Sequence, residues 1–131
     1  MTNDRAIPPV RPDPESLPFW EAAREGRFLI RRCRACAQAH WFPRSLCPFC
    51  WTADTTWEQA SGHGTVYSWT VLRAGAVPNI VAFVELDEGP RMLTDLVDVD
   101  PDAVAIGQLV EIVFCRTSDP DGPPVPMFRP R

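Results

Sequence analysis

The sequence predicts a mostly β protein: a short N-terminal helix, a four-cysteine metal ribbon, and a five-stranded barrel of the OB type. Three observations carry this expectation. Two CxxC turns, Cys33 to Cys36 and Cys47 to Cys50, are separated by ten residues. Five segments of strand character follow Gly62. A Pro-initiated helical turn, Asp100-Pro101, sits between the third and fourth of them, as in small OB barrels. The 131 residues, 45% hydrophobic, suffice for one ordinary domain or two very small ones with a modest core.

Residues 1–15 read as a flexible arm, because Pro8, Pro9, Pro12 and Pro14 oppose both helix and ladder. Residues 16–26 read as a helix, with Ser16 as N-cap, Pro18 in the first turn and Gly26 just past the end. A helix this short does not stand alone in water. Phe19 and Trp20 therefore dock either on their own chain or, as aromatic anchors, on a partner subunit. Residues 27–60 form the ribbon, with β-like segments at 27–32, 38–42 and 55–59. Residues 61–131 form the barrel, with strands at 65–73, 79–87, 91–98, 108–116 and 125–128. Ile80, Ala82, Val84 and Leu86 alternate onto one face, as do Val110, Ile112 and Phe114. Asp87-Glu88-Gly89-Pro90 marks a hairpin turn, and Gly62-His63-Gly64 a hinge or junction between ribbon and barrel.

Each CxxC turn aims two thiolates and several backbone N–H groups at one point, and two facing turns make a closed tetrahedral sulfur site from Cys33, Cys36, Cys47 and Cys50. A 34-residue module lacks the core to fold alone, so a metal would supply its folding energy. Zinc is the expected ion. Iron fits the same four sulfurs, and two disulfides are the third reading. Residues 1–10 lack the apolar core of a secretion signal and Cys115 makes the cysteine count odd, so the expected compartment is the reducing cytoplasm. Four thiolates leave zinc no open position, which makes it structural rather than catalytic. The residue after each CxxC often needs positive φ, yet Ala37 and Trp51 stand there.

All 13 basic residues are Arg; with no Lys, Schiff-base chemistry and a Walker phosphate loop are excluded. Cys115 reads as strand core, His40 as a surface residue, and no nucleophile elbow or zincin helix is present. The acids around Asp95 to Asp102 read as a solvated edge, lacking the Gly and Glu of a calcium loop. No apolar run is long enough to cross a bilayer. Residues 1–60 hold eight Arg against seven acids, net +1; residues 61–131 hold five against ten, net −5. The acidic barrel argues against a phosphate backbone as ligand, although ribbons and OB barrels both serve nucleic-acid binding. A nucleic-acid-binding ribbon–OB protein is therefore the alternative function. An iron electron carrier and a stand-alone enzyme rank below it.

Taken together, Pro18-Phe19-Trp20, the RCRAC segment around Cys33, PRSLCPFC (Pro43 to Cys50), SGHGTVYSWTV (Ser61 to Val71), VAFVELDEGPRMLTDL (Val81 to Leu96), IGQLVEIVF (Ile106 to Phe114) and VPMFRP (Val125 to Pro130) have a joint specificity that each lacks alone. Over residues 16–130 the chain resembles the rubredoxin-like zinc-ribbon plus OB-fold family linked to acyl-CoA metabolism. The resemblance implies a non-catalytic accessory subunit in a hetero-oligomer with a thiolase-like enzyme (thiolase, synthase or aldolase) or a hydratase. It also implies a contribution to the site for CoA. CoA carries phosphates and an adenine, which call for guanidinium groups beside aromatic faces. The acid-free stretch 26–50 offers Arg31, Arg32, Arg34 and Arg44 beside Trp41, Phe42 and Phe49. These seven residues are the candidate CoA contacts, with solubilising or partner-pairing Arg as the competing reading.

Overall fold

The computed structural model describes residues 6–131. One helix, α1 (Leu17–Arg24), precedes a three-stranded antiparallel sheet of β1 (Leu29–Cys33), β2 (Ala39–His40) and β3 (Thr55–Gln59) in the order β2-β1-β3. The remaining strands are β4 (His63–Leu72), β5 (Asn79–Leu86), β6 (Arg91–Leu96), β7 (Leu109–Cys115) and β8 (Val125–Pro130). They close a barrel in the order β4-β5-β6-β8-β7. Every barrel pairing is antiparallel except β6 with β8, which meet in parallel at Leu96 and Phe128. The 3-10 turn Pro101–Ala103 lies between β6 and β7, and the Asp100 carboxylate caps it by accepting from the Asp102 N–H at 2.8 Å. The mostly β architecture with a closed five-stranded barrel is thus as the sequence predicts. Among the described residues no helix is long and apolar enough to cross a membrane.

The alternating residues of β5 do what their period requires. Ile80, Ala82, Val84 and Leu86 are all buried, joined by Val66, Met92, Leu96, Val110 and Phe128. The same apolar cluster continues without a break into Phe19, Phe28, Ile30 and Ala39. Ribbon and barrel therefore share one core, and the segment between them is no loose hinge. A Cβ at Gly62 would stand 2.5 Å from Ile112 Cγ2, and one at Gly64 2.6 Å from the Glu85 carbonyl oxygen. Both glycines serve close packing at the seam.

Two local expectations are corrected. Ser16 precedes α1 but makes no side-chain cap; its hydroxyl and N–H both donate to Asp13 Oδ1, at 2.7 and 2.8 Å. Of the segment expected to be a flexible arm, residues 1–5 lie outside the described residues, and the rest is tied down. Ile7 is buried with Val97, Cys115 and Met127, and Glu15 accepts from the N–H and hydroxyl of Ser45. Apolar burial at Ile7 outweighs the freedom its flanking prolines leave.

Of the two readings for Phe19, docking on its own chain or anchoring a partner, the structure shows the first: Phe19 is fully buried in its own chain. Its ring meets Trp20, Trp41 and Phe28 at centroid distances of 4.8, 5.0 and 6.1 Å. The helix is too short to hold itself, and this aromatic knot supplies what it lacks. Trp20 is only partly buried and keeps an accessible face. We expect Phe19→Ala to destabilise the isolated chain by about 3–5 kcal/mol, measured by denaturant unfolding; a loss below ~1 kcal/mol would show that the knot is not structural.

Candidate metal centre and ribbon groove

The two CxxC turns face each other as their spacing demands. The Sγ atoms of Cys33, Cys36, Cys47 and Cys50 all lie within 4.8 Å of one another. Cys33 and Cys50 are 3.6 Å apart, and Cys36 and Cys47 are 3.7 Å apart. Four sulfurs at about 2.3 Å from a central zinc would stand about 3.8 Å apart, so the set fits a tetrahedral ion. The Cys36 N–H donates to Cys33 Sγ and the Phe49 N–H to Cys47 Sγ, as each turn's curl requires. Ala37 and Trp51 hold φ of 66° and 67°, and each N–H closes its turn onto the carbonyl of Cys33 or Cys47. The left-handed positions exist at both sites, and a Cβ is tolerated at both.

The charges on the sulfurs are unequal. Burial pushes the Cys47 thiol up, but the N–H groups of Cys50 and Phe49 and the neighbouring thiols outweigh it and bring it to about 7. At Cys50 the Thr52 N–H favours the thiolate, yet burial and three nearby sulfurs push the thiol up to about 12. Four thiolates together repel, and a cation at their centre removes that repulsion.

Around this centre most of the ribbon's arginines are engaged. Arg32 grips Glu58 through two bonds of 2.8 and 2.9 Å and donates to the Ala37 carbonyl at 2.7 Å. Arg34 pairs with Asp54 at 2.8 Å. Arg31 donates to Thr55 Oγ1 at 2.6 Å and lies over the Trp57 ring, 4.7 Å from its centroid. Arg44 stands apart: its guanidinium has no hydrogen-bond partner among the described residues. It adds to the pull by which Ser45 holds the Glu15 carboxyl below its usual range. Beside the sheet runs a groove of about 670 Å³ between the ribbon and the β5–β6 turn. Ala39, His40, Trp41, Pro48 and Phe49 form one wall, and Glu88 to Arg91 the other.

Residues 20–56 match the ChsH2 rubredoxin-like zinc ribbon domain, and residues 57–115 the ChsH2 C-terminal OB-fold domain. A DUF35 domain-containing scaffold protein of Methanocaldococcus jannaschii is 34% identical over 76% of this chain and 77% of its own length. The chain belongs to the DUF35 family. A solved structure, the Ltp2-ChsH2(DUF35) aldolase, contains a chain 37% identical to this one. The two superpose with a TM-score of 0.77 over 92% of this chain and 98% of that one. A DUF35 protein of unknown function from Sulfolobus solfataricus, 14% identical with a TM-score of 0.67, shares the fold. The probable enoyl-CoA hydratase alpha subunit of Thermomonospora curvata is 40% identical over 86% of this chain. This DUF35 chain spans only about a third, 36%, of that relative's length.

Within this DUF35 chain, the aromatic residues interleaved with the ribbon's Arg divide. Trp41 joins the core through Phe19 and Phe28, whereas Phe42, Phe49 and Trp51 are exposed at 42%, 53% and 76%. Of these four aromatics only Trp41 is part of the apolar core. His40, expected at the surface, is 2% exposed, and its Nε2 lies 3.2 Å from both the N–H and the carbonyl oxygen of Arg44. It braces the loop into the second CxxC turn, a role that position alone did not signal. Glu88 to Arg91 read in sequence only as a turn, because nothing local says that a hairpin tip will face a ribbon 40 residues upstream.

We expect about one tightly held metal ion per chain. Cys47→Ser should abolish it and lower the barrel's melting temperature without erasing its β signal, checked by metal analysis and circular dichroism. Ala37→Gly should stabilise the ribbon by about 0.5–1 kcal/mol, since the φ penalty exceeds the entropy glycine adds to the unfolded chain. Burial depresses the His40 pKa, so the unfolded chain takes up that proton first. Stability at saturating metal should fall as pH drops below about 6.5, and His40→Gln should flatten that slope in pH-dependent denaturant titrations.

Proposed function

We propose that this chain is a non-catalytic accessory subunit of a cytoplasmic acyl-CoA-processing enzyme, a thiolase-like or hydratase protein, and that it helps complete that enzyme's CoA site. The observation that carries the reading is a band of apolar side chains on the outside of the closed barrel. Tyr67, Phe83 and Leu93 are 48%, 43% and 57% exposed across β4, β5 and β6. Side chains of this size gathered on one solvent face mark a docking surface. The match to the DUF35 chain of an aldolase, and to hydratase alpha subunits, supports an enzyme as the partner.

The metal is zinc in this reading, held by four cysteines and closed to substrate. It would keep Arg44, Phe42 and Phe49 on one rigid ribbon surface. Arg44 and the outer face of Arg34 are the guanidinium groups left to meet phosphates, beside Phe42 and Phe49 as faces for the adenine. Arg31, Arg32 and Trp41 hold the ribbon together and support that surface from behind.

Affinity purification from the native cell should bring down a thiolase-like or hydratase subunit with this chain. A chain that purifies alone, or with nucleic acid removed by salt, would overturn the proposal. In the assembled complex, Arg44→Ala should raise KM for the CoA ester about tenfold with assembly and kcat intact; an unchanged KM would remove Arg44 from the site.

A further inference from the structure

The groove between ribbon and barrel runs along an unfinished sheet edge. In the order β2-β1-β3, β2 is an outer strand. The Cys33 N–H donates to the Gln38 carbonyl, and Arg31 pairs with His40. In an antiparallel ladder those two pairs exchange hydrogen bonds, so Ala39, paired with Arg32 between them, turns its N–H and C=O away from β1. Neither group has a partner among the described residues, although Ala39 is only 8% exposed. A shielded backbone donor and acceptor without partners are costly.

Two further polar atoms in the groove walls are buried without partners, Glu88 Oε1 and His40 Nδ1. His40 Nε2 lies 3.2 Å from both the N–H and the carbonyl oxygen of Arg44, so its hydrogen bonding is met inside the chain and Nδ1 is left to a group from outside it. The walls between these atoms are apolar: Trp41, Pro48, Phe49 and Pro90. The charges do not balance. Arg91 is held by Glu85 at 3.0 Å and stacked on Tyr67, whereas the second oxygen of Glu88 is unmatched.

We propose that an extended segment of the partner subunit, apolar and carrying one Lys or Arg, adds as a fourth strand to the β2 edge. It pairs with the Ala39 N–H and C=O, seats alternate side chains against Trp41 and Phe49, and places its cation on Glu88. The inference rests on the accessory-subunit reading and adds where and how the partner is gripped.

The test follows the Ala39 amide by hydrogen exchange in the ¹⁵N-labelled, zinc-loaded full chain. The amide should exchange fast in the free chain and with CoA alone, and at least tenfold slower in the complex with the co-purified subunit. Ala39→Pro removes only the outward N–H and no ladder bond, and should weaken assembly about tenfold while zinc content and circular dichroism stay unchanged. Glu88→Gln, which needs no backbone change, should weaken assembly and reduce its salt dependence. As a probe independent of the partner, random heptapeptides displayed on phage should converge on apolar sequences with one basic residue and lose binding to Ala39→Pro. An Ala39 amide that stays fast in a complex that does form overturns this inference and leaves the accessory reading standing. Protection by CoA alone gives the groove to a small ligand and equally overturns it. If no subunit co-purifies, the accessory reading fails; failure of the displayed peptides to enrich then overturns the groove as a strand site too.

Discussion

Mutual repulsion among four sulfur atoms, and the cation that relieves it, is the constraint on which the ribbon depends. Around the two CxxC turns Phe42, Phe49 and Trp51 are exposed and do not form a core. What holds the turns is Cys33 against Cys50 and Cys36 against Cys47, at distances suited to a shared tetrahedral ion. The positions of Arg44, Phe49 and the groove wall follow from that closure. The rest of the ribbon leans on a chain of polar contacts, Glu15 to Ser45 and Thr55 to both Ser45 and Arg31. Its other face joins the barrel's core through Phe28, Ile30 and Ala39.

Much of this was legible in the sequence because its physics is local. A CxxC spacing, a period-two strand and an Asp-Pro cap need only near neighbours, and each stands where those neighbours dictate. What was illegible depends on long-range partners. Composition cannot say that Arg32 will find Glu58, 26 residues on, instead of a phosphate. His40 looked like an ordinary exposed imidazole, and its burial is decided by a loop that folds back on it. Phe19 and Trp20 are adjacent in sequence, yet one is sealed in the core and the other is not. The amphipathic pattern of an eight-residue helix is too short to separate them.

The surface divides by what is already spent. Three of the four ribbon arginines singled out by their acid-free context are bonded within the chain, and the exposed pair among them, Arg34 with Asp54, contributes about 1 kcal/mol or less. Their main effect is geometric: they fix the outer strands and the Ala37 turn. On the ribbon and its surroundings the unspent features are the Arg44 guanidinium, three exposed aromatics, an apolar band on the barrel and one strand edge.

The placement of β8 sets the order in which the molecule can be made. It is the last strand in the chain, yet it lies between β6 and β7 and brings Phe128 into the centre of the core. During synthesis the ribbon's four cysteines are all available some 75 residues before β8, so metal capture can precede barrel closure. Until β8 arrives, the nascent barrel carries two open strand edges, on β6 and β7. A ribosome stalled in the segment before Val125 would therefore hold a metal-loaded but unsealed chain, the species most exposed to aggregation and the natural client of a chaperone.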